Sequence, residues 1–398
     1  MRIMKEVNRM RKILFTGFLI LLAIGVMYGN GNAITGQCSN CHTMHNSQDG
    51  AAVDSGGPNN QLLNAGCVAC HTTTTGQTSS FGAPAILHTT SPGTAATDQG
   101  AGETLAGGDF YWVNNDETTD ADKGHNVADL PGVDDSVKDT NMPNLSPPGW
   151  DPVATGTSFV AGQVAGGESA WTSKLTCGGK YGCHGDHTAT SSFGGVSGAH
   201  HGNTDLTATQ ASTANTVGNS YRFLYGIKGL EDANWNWSET ASTHNEYYGE
   251  DNSADRSAGG LASYGSRDTI SFLCAECHGT FHGTIDADST SGDPWVRHPT
   301  DITLSESSEA SLYNTSDGSS IGTYNVTIPI ARSSVPASSV STVTAATDIV
   351  MCLSCHRAHG SPVADLLRFD YTDMVAGSTN TGGCFVCHTS KNASGTNP

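Results

Sequence analysis

Five times along the chain two cysteines stand three apart with a histidine directly after the second: Cys38/Cys41/His42, Cys67/Cys70/His71, Cys274/Cys277/His278, Cys352/Cys355/His356 and Cys384/Cys387/His388. Thiols at that spacing can add across the two vinyl groups of one porphyrin, and the next residue offers an imidazole to its iron. The unit therefore reads as a covalent attachment site for c-type haem. A sixth, stretched version, Cys177-Gly-Gly-Lys-Tyr-Gly-Cys183-His184, puts five residues between its cysteines. Its glycines accept backbone angles that other residues refuse, so the loop can bulge until both sulfurs reach one porphyrin. Together the six units use all 12 cysteines.

Other chemistries use paired cysteines. An exported chain with an even cysteine count is usually disulfide-bonded, and Cys-x-x-Cys also serves zinc sites and redox dithiols. None of these needs a histidine after the second cysteine. With histidine at 16 of 398 residues, chance would place one after all five regular pairs roughly once in ten million. For the stretched unit the competing reading is a Cys177–Cys183 disulfide without haem.

Six proximal histidines leave ten others, and six irons need six second ligands. Methionine is the usual competitor, but Met44 and Met351 lie against the units themselves, with only Met142 and Met374 besides after residue 33. Histidine on both faces of every iron is favoured, from His45, His125, His282, His298 and His359, then His88, His244 and, of the adjacent pair His200-His201, His201. His187 is left as a surface residue. The pairs His42/His45, His184/His187, His278/His282 and His356/His359 have helical spacing, with Cβ atoms about 5–6 Å apart on one face. A histidine that close to the proximal one cannot reach round its own porphyrin, but it can ligate the next. One turn would then hold two irons within roughly 10 Å.

The elements that position these residues are expected to be slight. The 48 glycines and many Ser and Thr predict mostly coil with short helices and a few short strands wrapped around a haem stack. The porphyrins would supply the core, so the apo chain should be largely unfolded, as when a bound group carries the folding energy. Residues 37–48 read as a helical turn, 107–113 as a strand against a haem face, Tyr221–Trp237 as a helix, and the alternating Tyr324, Val326, Ile328 and Ile330 as an edge strand with Pro329. Lys5, Arg9, Arg11 and Lys12, the apolar run Ile13–Met27 and Gly31-Asn32-Ala33 read as a signal peptide over 1–33. The alternative is an uncleaved membrane anchor. Residues 34–398 then form a single hexahaem domain in an exported protein, whose tail after Lys391 reads as disordered. A net charge of −20 excludes nucleic acid as a partner on electrostatic grounds.

In order along the chain stand Cys41-His-Thr-Met-His45-Asn-Ser, Gly107-Gly-Asp-Phe, Lys123-Gly-His125-Asn, Cys277-His-Gly-Thr-Phe-His282, Arg297-His298-Pro and Cys355-His-Arg-Ala-His359. With them the sequence resembles the filament-forming extracellular multihaem cytochromes of metal-reducing bacteria, the outer-surface cytochrome S and E types. The resemblance implies loops and short helices around a continuous haem stack, and polymerisation in which His45 ligates a late haem, that of His356, in the next subunit. It implies an extracellular electron conductor rather than an enzyme, delivering to metal oxides or to other multihaem cytochromes. A monomeric carrier in the periplasm or an outer-membrane conduit is the alternative. A multihaem reductase is a third reading, disfavoured because every unit ends in histidine and spare ligands exceed demand.

Overall fold

The computed structural model describes residues 37–55, 57–92, 104–114, 122–131, 147–150, 171, 173–201, 217–231, 240–251, 268–279, 298–306, 308–315 and 320–391. Regular structure among them is short: the longest helix, Ile270–Ala275, has six residues, and the strands have two or three. The remainder is turn and coil, as the composition predicts.

Two-residue to three-residue ribbons frame the N-terminal part. Ser47–Gln48 pairs antiparallel with Ala51–Ala52, Thr72–Thr73 parallel with Leu87–His88, and Thr176–Gly178 parallel with Gly182–His184. The C-terminal part rests on a five-stranded sheet in the order Gly229–Leu230, Glu246–Tyr248, Ala331–Arg332, Asp348–Val350, Ile302–Thr303. Its central pairing, 246–248 with 331–332, is parallel and the others are antiparallel.

Successive side chains on a strand point to opposite faces, and the sheet uses both. Ala331 stands opposite Tyr247 and Ile349, and all three bury with Tyr221, Ile227, Ile270, Met351 and Leu353. Val350 belongs to the second cluster, with Leu304, Tyr313, Tyr324, Ile330 and Val386. Charge buried at the sheet is paired: Arg332 donates Nε–H to Glu246 at 3.0 Å, forms an ion pair with Asp348 and donates to the carbonyls of Thr342 and Val340. A smaller cluster of Leu87, Phe110, Val113, Val127 and Leu130 serves the N-terminal part. The polypeptide thus has cores of its own, which amends the expectation that porphyrins alone supply one.

Several local expectations give way to side-chain chemistry. Within 107–113 the chain forms not a strand but a helical turn, Tyr111–Asn114, opened by Asp109, whose Oδ1 accepts from the Tyr111 N–H at 2.8 Å. Of the apolar residues Phe223, Leu224, Ile227 and Leu230 that suggest a helix from Tyr221, the last three are buried and Phe223 is half-buried, but on a tight loop. Arg222 and Phe223 have positive φ and the Tyr221 N–H donates to Ile227 O at 2.8 Å; the helix ends after three residues, and 232–239 lie outside the described residues. At 324–330 the Asn325 side chain accepts from the N–H and hydroxyl of Thr327, making a turn; the strand begins only at Ala331, past Pro329. The 37–48 turn stops at Asn40. Residues 1–33 and those after Lys391 lie outside the described residues. No described helix is long and apolar enough to cross a membrane.

Candidate haem-binding sites

The five regular units share one backbone device. The N–H of the histidine returns to the carbonyl of the first cysteine, at 2.8 Å in His42, 3.1 Å in His71, 2.9 Å in His278, 3.1 Å in His356 and 2.8 Å in His388. That single closed turn sets the two thiols and the imidazole in a fixed relation, because residues three apart share a helical face. The stretched unit reaches a comparable end by other means. Cys177 and Cys183 lie on paired strands with Gly178 opposite His184, and the Gly179 N–H donates to His184 O at 3.0 Å. Gly179 turns with φ +76, and a Cβ on Gly182 would lie 2.4 Å from the Gly178 backbone, so glycine is needed at both.

Every proximal ring is held through Nδ1. The acceptors are the carbonyls of Gln61 for His42 (2.9 Å), Pro84 for His71 (2.8 Å), Arg222 for His184 (3.1 Å), Pro148 for His278 (2.7 Å) and Asp365 for His356 (2.7 Å). His388 uses the Glu309 carboxylate instead, at 2.6 Å. Since those oxygens only accept, the proton sits on Nδ1 and Nε2 keeps its lone pair, the tautomer a metal ligand needs. Burial adds to this: it pushes His184 down to about 4 and His359 to about 3, and it lowers His71 and His125. Neutral imidazole is the ligating form.

Four proximal rings face a second imidazole at a repeated distance. Ring centres are 6.3 Å apart for His71–His200, 6.2 Å for His125–His278, 6.3 Å for His184–His359 and 6.0 Å for His298–His388. A metal–imidazole bond of about 2 Å on each side, with the ring centre about 1 Å behind its nitrogen, calls for about 6 Å. The donor set and its spacing therefore fit an iron with two axial histidines. His125 and His298 are in turn held at Nδ1, by the carbonyls of Ala358 (2.6 Å) and Pro299 (2.9 Å).

The remaining histidines stand differently. His88, with His88 Nδ1 at 2.6 Å from Asp109 and Nε2 at 3.0 Å from Gly76 O, is 1 % exposed. His244 has Nδ1 on Thr240 O and Nε2 on Glu246, and it stacks on Tyr324 at 3.7 Å. Both nitrogens of each ring face oxygen, so neither offers a lone pair here. His187 is buried between Cys183 O and Glu276 rather than on the surface. His45 is exposed, with Nδ1 on Ser47 Oγ. His282 and the His201 side chain lie outside the described residues. Of the adjacent pair it is His200 that approaches a proximal ring, whereas the sequence favours neither neighbour on physical grounds and the expectation is His201.

The units abut one another in chain order. Burial first, then the Cys41 thiolate, raises Cys70. Cys67 and Cys177 are hydrogen-bonded, as are Cys274 and Cys352. Burial and then Cys183 raise Cys277, and burial and then Cys355 push Cys387 up to about 12. Ligand atoms of Cys67, Asp129 and Cys177 lie within 4.8 Å of each other, and both thiols belong to the candidate attachment units. Two buried guanidinium groups, Arg357 and Arg368, flank the fifth unit, and Arg368 Nε donates to the carbonyls of Leu353 and His356. Their positive charge suits the carboxylate-bearing edge of haem.

A family described as a doubled CXXCH motif matches residues 345–393, which contain the last two units. No curated protein matches the chain. Among solved structures it is similar to the Outer Membrane Cytochrome S filament from Geobacter sulfurreducens, at 21% identity over 88% of both chains with a TM-score of 0.42. It is likewise similar to the OmcS nanowires of the same organism, at 20% identity over 88% of both chains with a TM-score of 0.41. At that identity and score a likeness does not carry function or assembly across. The class rests on the units themselves: a repeated haem-attachment turn, each with its Nδ1-anchored histidine, in a chain that is mostly coil. That is a multihaem c-type cytochrome with covalently bound haem c.

Proposed function

We propose that the protein is an exported electron carrier holding six haems in the order of their units, each iron between two histidines, and that copies join into an extracellular filament. The four ring pairs at 6.0–6.3 Å carry this reading. Haem iron supplies one-electron Fe(III)/Fe(II) exchange; the chain's own part is to attach, orient and enclose it, with both axial faces closed against substrates. His42 takes its second ligand from His201 or His282, next to pairs already made. His88, His187 and His244 are structural. Contact between successive units supports transfer along a line, with metal oxides, other multihaem cytochromes or an outer-membrane conduit at its ends.

Assembly is argued from two exposed rings. His356 is exposed and forms none of the imidazole ring pairs seen among the described residues; His45 is exposed too, with Nδ1 on Ser47 Oγ. We assign His45 of one copy to the iron of His356 in the next. Intact-mass measurement should give six haem additions, with five refuting the stretched unit. His45→Ala should abolish filaments in electron micrographs at unchanged haem content; normal filaments from it would remove the intersubunit ligand. The exposed His356 also sustains the reductase reading, since an iron there with one free face could turn over a small molecule. A high-spin ferric signal in the assembled protein would favour it, and uniformly low-spin iron would exclude it.

A further inference from the structure

Of the six proximal histidines, five donate Nδ1–H to a neutral backbone carbonyl and one, His388, to a carboxylate. This difference is specific to the last unit. Glu309 Oε2 lies 2.6 Å from His388 Nδ1, and its other oxygen is held by Lys391 Nζ at 2.9 Å and Ser390 Oγ at 3.0 Å. The carboxylate is presented just before the turn Ala310–Leu312, which leads into the buried Tyr313. After His388 the turn Thr389–Lys391 folds the chain back so that Ser390 and Lys391 reach the same group.

A charged acceptor makes a shorter and stronger hydrogen bond than a carbonyl does. It draws the Nδ1 proton away from the ring, which makes Nε2 a more basic ligand. A more basic axial ligand favours Fe(III) over Fe(II). We infer that Glu309 is a potential-tuning residue that holds the haem of Cys384/Cys387/His388 at a lower reduction potential than a carbonyl in its place would give, with Lys391 setting how much negative charge reaches the ring. The inference rests on the haem reading above. Glu309 acts only through His388 and needs no substrate.

Spectroelectrochemical titration of the full-length holoprotein tests it, with electron paramagnetic resonance of the low-spin irons as a second readout. Glu309→Gln keeps the shape and one acceptor oxygen but removes the charge. One of the waves should move up, so that at a fixed potential the oxidised-to-reduced ratio at that haem falls about tenfold, which is about 59 mV for one electron. The g-values of one iron should change, and Glu309→Asp should restore both in part. Lys391→Met should move the same wave the opposite way, because it leaves the carboxylate less neutralised. A merely structural role predicts no such opposition. Unchanged waves in Glu309→Gln with six low-spin haems present would overturn the inference. So would movement in the same direction for both variants, or loss of the sixth haem on Glu309→Gln. If the unmodified protein carries no haem at that unit by intact mass, the haem reading fails instead, and the two failures are distinguishable.

Discussion

The first and last haem units have the same motif and the same closed turn, with the histidine N–H 2.8 Å from the first cysteine's carbonyl in both, yet their surroundings are opposite. The turn Cys38–Asn40 buries nothing, and it leads into a ribbon whose four residues are all exposed. Met44 beside it is 86 % exposed. The turn Gly383–Val386 buries Gly383, Phe385 and Val386, and Val386 belongs to the cluster of Leu304 and Tyr313. The motif fixes attachment geometry and nothing more. Packing decides whether a unit is a piece of core or an end able to meet another molecule.

That contrast can be broken by substitution. Phe385→Ala should cost about 3–5 kcal/mol in denaturation of the holoprotein, the usual range for emptying a buried aromatic site. A cost near zero would place the last unit with the first. His359→Ala should leave the iron of His184 short of one ligand and convert one haem to high spin; an all-low-spin spectrum would break the pairing read from their ring distance. His244→Phe should cost about 1–3 kcal/mol, because it removes one of the buried hydrogen-bond partners of Glu246, while haem count and spin state stay as they were. A high-spin signal there would restore His244 as a ligand. Leu62→Ala, at a position 39 % exposed, should change stability by less than about 0.5 kcal/mol; a penalty like that of Phe385 would show the first unit to be packed after all.

Sequence was most informative where the physics is local. The attachment turns depend on residues four apart and stood open to reading, as did the scarcity of regular structure. The Nδ1 anchors did not. Gln61, Pro84, Arg222, Pro148 and Asp365 act through their backbone carbonyls, which leave no trace in residue type. Glu309 is a side chain, but nothing ties it to His388 until the fold brings them together. The same holds for choosing among ten spare histidines. His88 and His244 match a ligand in type, and only their contacts with Asp109, Gly76, Thr240 and Glu246 show both nitrogens engaged. Of the apolar face expected on a helix from Tyr221, Leu224, Ile227 and Leu230 are buried and Phe223 only partly so, on a different backbone. Positive φ at Arg222 and Phe223 let a loop bury the same side chains. In the stretched unit the sequence marks the glycines as suited to a bulge, and the close approach of Gly182 to the Gly178 backbone shows why a side chain has no room there.

The ring pairs also have a consequence for how much of the polypeptide is indispensable. His184 meets His359, His125 meets His278, and His71 meets His200, so each pair ties together segments far apart along the chain. Closing a long loop costs only slightly more entropy than closing a short one, and a metal bridging two such rings would act as a clasp across everything between them. Clasps that overlap in this way lace the molecule from end to end. Keeping these three together takes everything from His71 to His359, so no short fragment can hold them all.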